Sequence, residues 1–368
     1  MRNNKINKII IKVGSTSLCD DNGNIDKKKI LSLVSQISKL YDLGKQVVLV
    51  SSGAVASGMG VLHLDKKPNT MPQKQALAAI GQARLMEIYE ELFSLYNINV
   101  AQVLLNHGDF DDRKRLMNLH NSLNALLEYH VLPIVNENDT LAVDEIKVGD
   151  NDTLAALLTP VIDADLLILV SDIDGLYDSN PKVNKDAKFI NYVDAVDEHI
   201  LSLASDSSSN LGTGGMITKL KAAKNVNDYG SSMLIINGNV ENCILKALDG
   251  EIGTWFEGNG NMNARKHWLT YRSKVKGTII VDEGAKKALL NHKSLLPGGI
   301  KEVEGNFLMG QVIEVVDINK NIISKGIVNY SSDEIKLIKG HQSKDIEKIL
   351  HYKDYDEVLH VNNMVLIK

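Results

Sequence analysis

Between Lys8 and Leu248, short apolar runs alternate with longer stretches whose apolar residues recur at helical spacing. Lys8–Val13 and Gln46–Val50 are brief and β-branched, as buried strands are. The interval between them carries Ile30, Leu33, Val34, Ile37, Leu40 and Leu43 on one helical face, and Gly44 supplies the stop. A long helix is predicted over Gln73–Leu95, with Leu77, Ile80, Leu85, Ile88 and Leu92 toward the core. Further strands are predicted at Val100–Leu105, Val131–Val135, Asp165–Val170 and Met233–Asn237, the last closing the sheet. Helices are expected over Asp111–Tyr129, from Thr153 to Leu158, up to about Tyr229, and over Val240–Leu248. This order predicts an α/β fold with a mainly parallel central sheet sandwiched by helices.

The pattern changes after residue 258. Gly, Asn, Lys and Arg dominate residues 259–276, which read as a linker. Short strands then follow at Thr278–Asp282, Gly299–Glu304, Val312–Asp317 and Ile322–Val328, with a small helix over Asp282–Leu290. The expected organisation is a first domain over residues 1–258, a small, compact, mostly-β domain over residues 277–355, and a tail at 356–368.

Composition narrows the function classes. Of the 368 residues, 44% are apolar and 24% charged, an ordinary globular balance with ample core. The net charge of −5 gives no electrostatic reason to expect nucleic acid or a membrane surface. Residues 277–368 carry twelve Lys and Arg against thirteen Asp and Glu, without the basic excess of a phosphate-binding surface. An RNA-binding protein is therefore the weaker reading. Cys19 and Cys243, far apart, fit neither a disulfide framework nor a zinc site. No apolar run has the length of a membrane span or signal sequence, and a cytoplasmic protein is expected.

Candidate chemistry lies where strands end and helices begin, the edge at which open α/β sheets bind ligands. Asn136-Glu137-Asn138-Asp139 follows one strand, and Gly149-Asp150-Asn151-Asp152 opens the next helix. Lys12 interrupts an apolar strand just before Gly14-Ser15; it is either a cation snorkelling to water or one aimed at a ligand. Ser51-Ser52-Gly53-Ala54 joins a strand to a helix in a way that suits phosphate or carboxylate. Ser171-Asp172 sits just past another strand end. In Leu211-Gly212-Thr213-Gly214-Gly215-Met216-Ile217-Thr218-Lys219, glycines precede a helix with a lysine in its first turns, an anion nest with an added full charge. Its spacing is not that of a Walker A loop.

Together these blocks, in this order, resemble the glutamate 5-kinase branch of the amino-acid kinase family, and the C-terminal segment resembles a PUA domain. The resemblance implies ATP-dependent phosphorylation of the side-chain carboxylate of L-glutamate, giving glutamyl 5-phosphate for proline biosynthesis. It implies Lys12 and Lys219 as the catalytic cations and Asp152 as the carboxylate that holds them. Ser52, Gly53, Asn136, Asp139 and Asn151 would bind glutamate. Lys12, Gly14, Ser171, Asp172 and Thr213, Gly214, Gly215, Met216, Ile217, Thr218 and Lys219 would bind ATP. Mg²⁺ would be held mainly through the ATP phosphates, with no dedicated metal ligands. A homotetramer or dimer and feedback inhibition by proline are also implied. Asn106-His107 departs from the Thr-Arg-like pair of many relatives and receives no role. A related kinase acting on another carboxylate, a carbamate or a nucleotide monophosphate is the alternative within the fold.

Overall fold

Side-chain alternation within five buried parallel strands sets the architecture around the site. The computed structural model describes residues 6–20, 23–64, 66, 68–106, 108–111, 113–141, 151–181, 183–204, 215–259 and 275–367. The chain divides into two units, Met1–Asn261 and Met262–Lys368, and this division falls inside the stretch read as a linker.

In the first unit, β1 (Lys8–Val13) is central, flanked by β2 (Gln46–Ser51) and β5 (Leu166–Ser171). Outward from β2 lie β4 (Leu132–Glu137) and the edge strand β3 (Val100–Leu105); all these pairings are parallel. On the other side, β9 (Ser232–Asn237) runs parallel to β5. The sheet does not close there as expected. β10 (Thr254–Phe256) pairs antiparallel with β9, and β8 (Tyr192–Val193) pairs with β10, giving eight strands. Leu176–Tyr177 (β6) and Phe189–Ile190 (β7) form a separate two-stranded ribbon.

Successive residues of a strand face opposite sides. Ile9, Ile11 and Val13 of β1 join one core, with helix α1 (Lys27–Asp42) and helix α3 (Met71–Ser94). Ile10 joins the other core, with α5 (Arg113–Glu128), α6 (Asn151–Leu158) and α8 (Met216–Tyr229). By parity Lys12 lies on the same face as Ile10, toward α6 and α8, which decides where its ammonium points.

Ile80, expected in the core, is exposed, whereas Tyr89 and Phe93 are buried. Leu77, Leu85, Ile88 and Leu92 are buried as expected, and Gly81 rather than Ile80 completes that face, because α3 meets α2 (Ala54–Val61) backbone to backbone there. A Cβ added at Gly81 would lie 1.8 Å from the Ala54 carbonyl oxygen, and one at Gly58 would lie 2.0 Å from that of Leu77. We expect Gly81→Ala to cost about 1–3 kcal/mol by overpacking, read as a lowered urea midpoint; an unchanged midpoint would mean the helices do not touch there.

The second unit is built on a five-stranded sheet in the order β12 (Ile300–Gly305), β11 (Gly277–Val281), β13 (Val312–Val316), β14 (Ile322–Val328), β15 (Leu359–Leu366). A bridge between Leu295 and Leu359 ties β15 to the segment leading into β12. Helix α10 (Glu283–Leu290) packs on this sheet, as does α11 (Ser332–Ile338), whose start carries a capping box of Ser331 and Glu334. Residues 356–368 were expected to form a tail, yet they supply β15, paired antiparallel with β14 and burying Leu359 and Met364.

Candidate active site

Three segments meet at the carboxyl ends of the parallel strands. Lys12 lies one residue before the end of β1, Asp152 in the first turn of α6, and Lys219 in the first turn of α8. The Lys12 ammonium lies 2.5 Å from Asp152 Oδ1, and the Lys219 ammonium donates to Asp152 Oδ2 at 2.7 Å. All three side chains are buried, Asp152 with 1% of its side chain exposed. The lysine of β1 therefore does not snorkel to water. Burial pushes the Asp152 carboxyl upward, but the two ammonium groups outweigh it and hold the carboxyl below the usual aspartate range. One carboxylate thus separates two cations that reach it from distant parts of the chain.

The second half of the site is a chain of amides. The Asn151 Nδ2 group donates to Ser52 Oγ at 2.8 Å and to Asn136 Oδ1 at 3.0 Å. Asn136 Nδ2 donates to Gln82 Oε1 of α3 at 2.9 Å. Behind Ser52, Ser51 Oγ and the Tyr89 hydroxyl are hydrogen-bonded at 2.8 Å. Gly53 precedes α2 with φ of +108°, a left-handed conformation that side chains rarely adopt. This turn aims the amides at the start of α2 toward the same edge of the sheet as the starts of α6 and α8. Three helix N-termini converging on one edge favour anions.

Asp139 lies in the turn just after β4. Burial raises its pKa, and neighbouring Glu137 is pushed up to about 7, by burial and then by the Asp139 charge. A ligand ammonium beside them would favour ionisation of both.

On the other flank, Ser171 ends β5 and donates to Asp172 at 3.2 Å. The Gly14 amide lies 3.4 Å from the Val170 carbonyl, and a Cβ at Gly14 would come within 3.8 Å of the Lys12 ammonium. Glycine there leaves room beside the cation. Gly215 opens α8 with no acidic residue in the first turn, and Thr218 Oγ1 donates to the Gly215 carbonyl at 2.7 Å. Met216 and Ile217 begin that helix. Thr213, Gly214, Gly149 and Asp150 lie outside the described residues, as does His107.

Sequence reasoning missed Gln82 and Tyr89, and named Glu137 only within the block after β4, without a role. The first two lie on the buried face of α3 among Leu77, Ala78, Leu85 and Ile88. A glutamine on that apolar stripe was the available signal.

The model of the amino acid kinase family matches residues 7–237, and that of the PUA domain matches residues 277–350. Glutamate 5-kinase of Caldanaerobacter subterraneus subsp. tengcongensis is 48% identical over 364 residues, covering 98% of each chain. The chain belongs to the glutamate 5-kinase branch of the amino acid kinase family. Glutamate 5-kinase of Geobacter sulfurreducens is 45% identical, covering 99% of this chain and 98% of its own. Among solved structures, carbamate kinase from Giardia lamblia bound to AMP-PNP covers 69% of this chain and 99% of its own, at 17% identity and a TM-score of 0.51. That likeness concerns the fold alone. No described helix is long and apolar enough to cross a membrane.

Proposed function

We propose that the chain transfers the γ-phosphoryl group of ATP to the side-chain carboxylate of L-glutamate, with Lys12 and Lys219 as the cations that stabilise the transfer. The single observation that carries this assignment of roles is the pair of buried ammonium groups on opposite oxygens of Asp152.

A glutamate side chain has a pKa near ~4.3 in water, so the nucleophile is already ionised at neutral pH. A carboxylate oxygen attacks the γ-phosphorus, the bond to the β,γ-bridging oxygen breaks, and ADP leaves with that electron pair. No proton need be removed, which accounts for a site built from lysines, amides and helix starts. The chemical problem is to bring two anions together and to neutralise charge on the transferring group. Lys12 from β1 and Lys219 from α8 would approach that group from two sides, with Asp152 offsetting their repulsion and fixing their direction.

ATP fits the flank of Gly14, Ser171, Asp172 and the start of α8, where glycine leaves space beside a cation and a 14-residue helix presents its amino end. Among the described residues no group of three or more His, Cys, Asp or Glu forms a metal cage, and Asp152 is engaged by lysines. Mg²⁺ in this reading would be held mainly through the nucleotide's phosphates and would supply charge neutralisation there.

Glutamate fits the amide-lined half. Ser52 and the amides after Gly53 would take a carboxylate, and Asp139 the α-ammonium, which would relieve the cost of its burial. Asp139→Ala should raise the KM for glutamate about 10–100-fold, the scale of one charge-assisted hydrogen bond, with a smaller change in kcat. An unchanged KM would remove Asp139 from the pocket. ADP release measured with glutamate, aspartate, N-acetylglutamate and UMP side by side tests the acceptor, and glutamate should be preferred by a wide margin. The same assay with added proline tests end-product inhibition, and sedimentation tests the homo-oligomer; both belong to this reading.

A further inference from the structure

The amide chain behind the acceptor pocket has a polarity that can be fixed from one end. The backbone N–H of Glu137 donates to Asn136 Oδ1 at 2.9 Å, and a peptide N–H can only donate. That bond identifies the oxygen of the Asn136 amide, so its NH₂ must face Gln82, which must present Oε1. Asn151, facing the same oxygen of Asn136, must present its NH₂, and that NH₂ also reaches Ser52 Oγ. Ser52 therefore accepts from Asn151, and its own hydrogen is left to donate elsewhere. Gln82 lies at the far end of this chain, 8% exposed, and Asn136 is 3% exposed. Neither can exchange its partner for bulk water without opening the packing of α3 against β4.

We propose that Gln82 is a positioning residue for the acceptor pocket. Through Asn136 and Asn151 it holds the Ser52 hydroxyl with its hydrogen aimed at the carboxylate of the amino-acid substrate. The proposal rests on the assignment of Ser52 and Asn151 to that substrate, and adds a residue that touches neither substrate nor nucleotide. Without the Gln82 acceptor, the buried Asn136 NH₂ has no partner on α3, and turning the amide to find one withdraws the oxygen from Asn151. The loss then appears at Ser52, three residues along the chain of bonds.

The test is steady-state kinetics on the full chain. Gln82→Met, close in volume but with no acceptor oxygen, should raise the KM for glutamate about 10-fold, while kcat and the KM for ATP stay within about twofold. Gln82→Glu, which keeps an acceptor oxygen, should hold the glutamate KM within about threefold of wild type. In a Ser52→Ala background Gln82→Met should add little, because the effect passes through Ser52. If Gln82→Met does not fold, Gln82→Asn, one methylene too short to reach Asn136, should give the same rise. A glutamate KM unmoved by the Gln82 substitutions, an equal rise in the KM for ATP, or additive effects with Ser52→Ala would overturn the positioning role. An unchanged glutamate KM in Ser52→Ala alone would overturn the pocket assignment itself, so the two failures are distinguishable.

Discussion

Lys219→Ala should lower kcat by about 10²–10³-fold, the scale for losing one preorganised donor to the transferring group. The chain should still fold, because Asp152 keeps Lys12 at 2.5 Å and is not left as an unpaired buried charge. Lys219→Arg should not restore the rate. A planar guanidinium carries its charge farther out and cannot occupy the small space between the start of α8 and Asp152 in the same direction. Single-turnover measurement of ADP formation separates the chemical step from substrate binding. A kcat within a few-fold of wild type for Lys219→Ala would take this lysine out of the mechanism.

Asp152→Asn should do more harm, because one change removes the partner of two cations. The remaining ammonium groups would face each other in a buried space with no countercharge. Breaking a buried ion pair from one side costs about 3–5 kcal/mol; here that loss should appear as a lowered urea midpoint together with lost activity. The pH dependence has a definite sign. The native carboxyl of Asp152 is held below its ordinary range, by the two lysines acting against burial. Its contribution is complete above the unfolded aspartate pKa near ~3.9 and is lost as pH falls through the depressed native value. The stability gap between wild type and Asp152→Asn should therefore be flat from neutral pH down to about pH 5 and narrow only in stronger acid. A gap that widens on acidification would mean the carboxylate is not paired as described.

The strands, the helices and the edge that gathers the loops were legible because each rests on a local pattern. Ile9-Ile10-Ile11 reads as a strand buried on both faces, and Lys12 at its end is conspicuous for that reason. Parity alone places Lys12 on the face of Ile10, but only the fold shows that α6 and α8 cover that face with Asp152 and Lys219. Long-range pairings of this kind leave no local trace. Gln82 was overlooked because an apolar stripe is read by its apolar members, and its partner Asn136 lies 54 positions away. Strand β15 was missed because the polar run from His351 to Glu357 looks like the end of a domain, and Asn362-Asn363 break the apolar run that follows. Strands β8 and β10 are only two and three residues long, too short for periodicity to register.

The arrangement around Asp152 also bears on life between turnovers. Two ammonium groups and one carboxylate leave a surplus of a single positive charge, so the resting protein is not driven apart by self-repulsion. In the proposed reading a polyphosphate would engage both cations at once where a monovalent anion would engage one, so discrimination in favour of the nucleotide would precede catalysis.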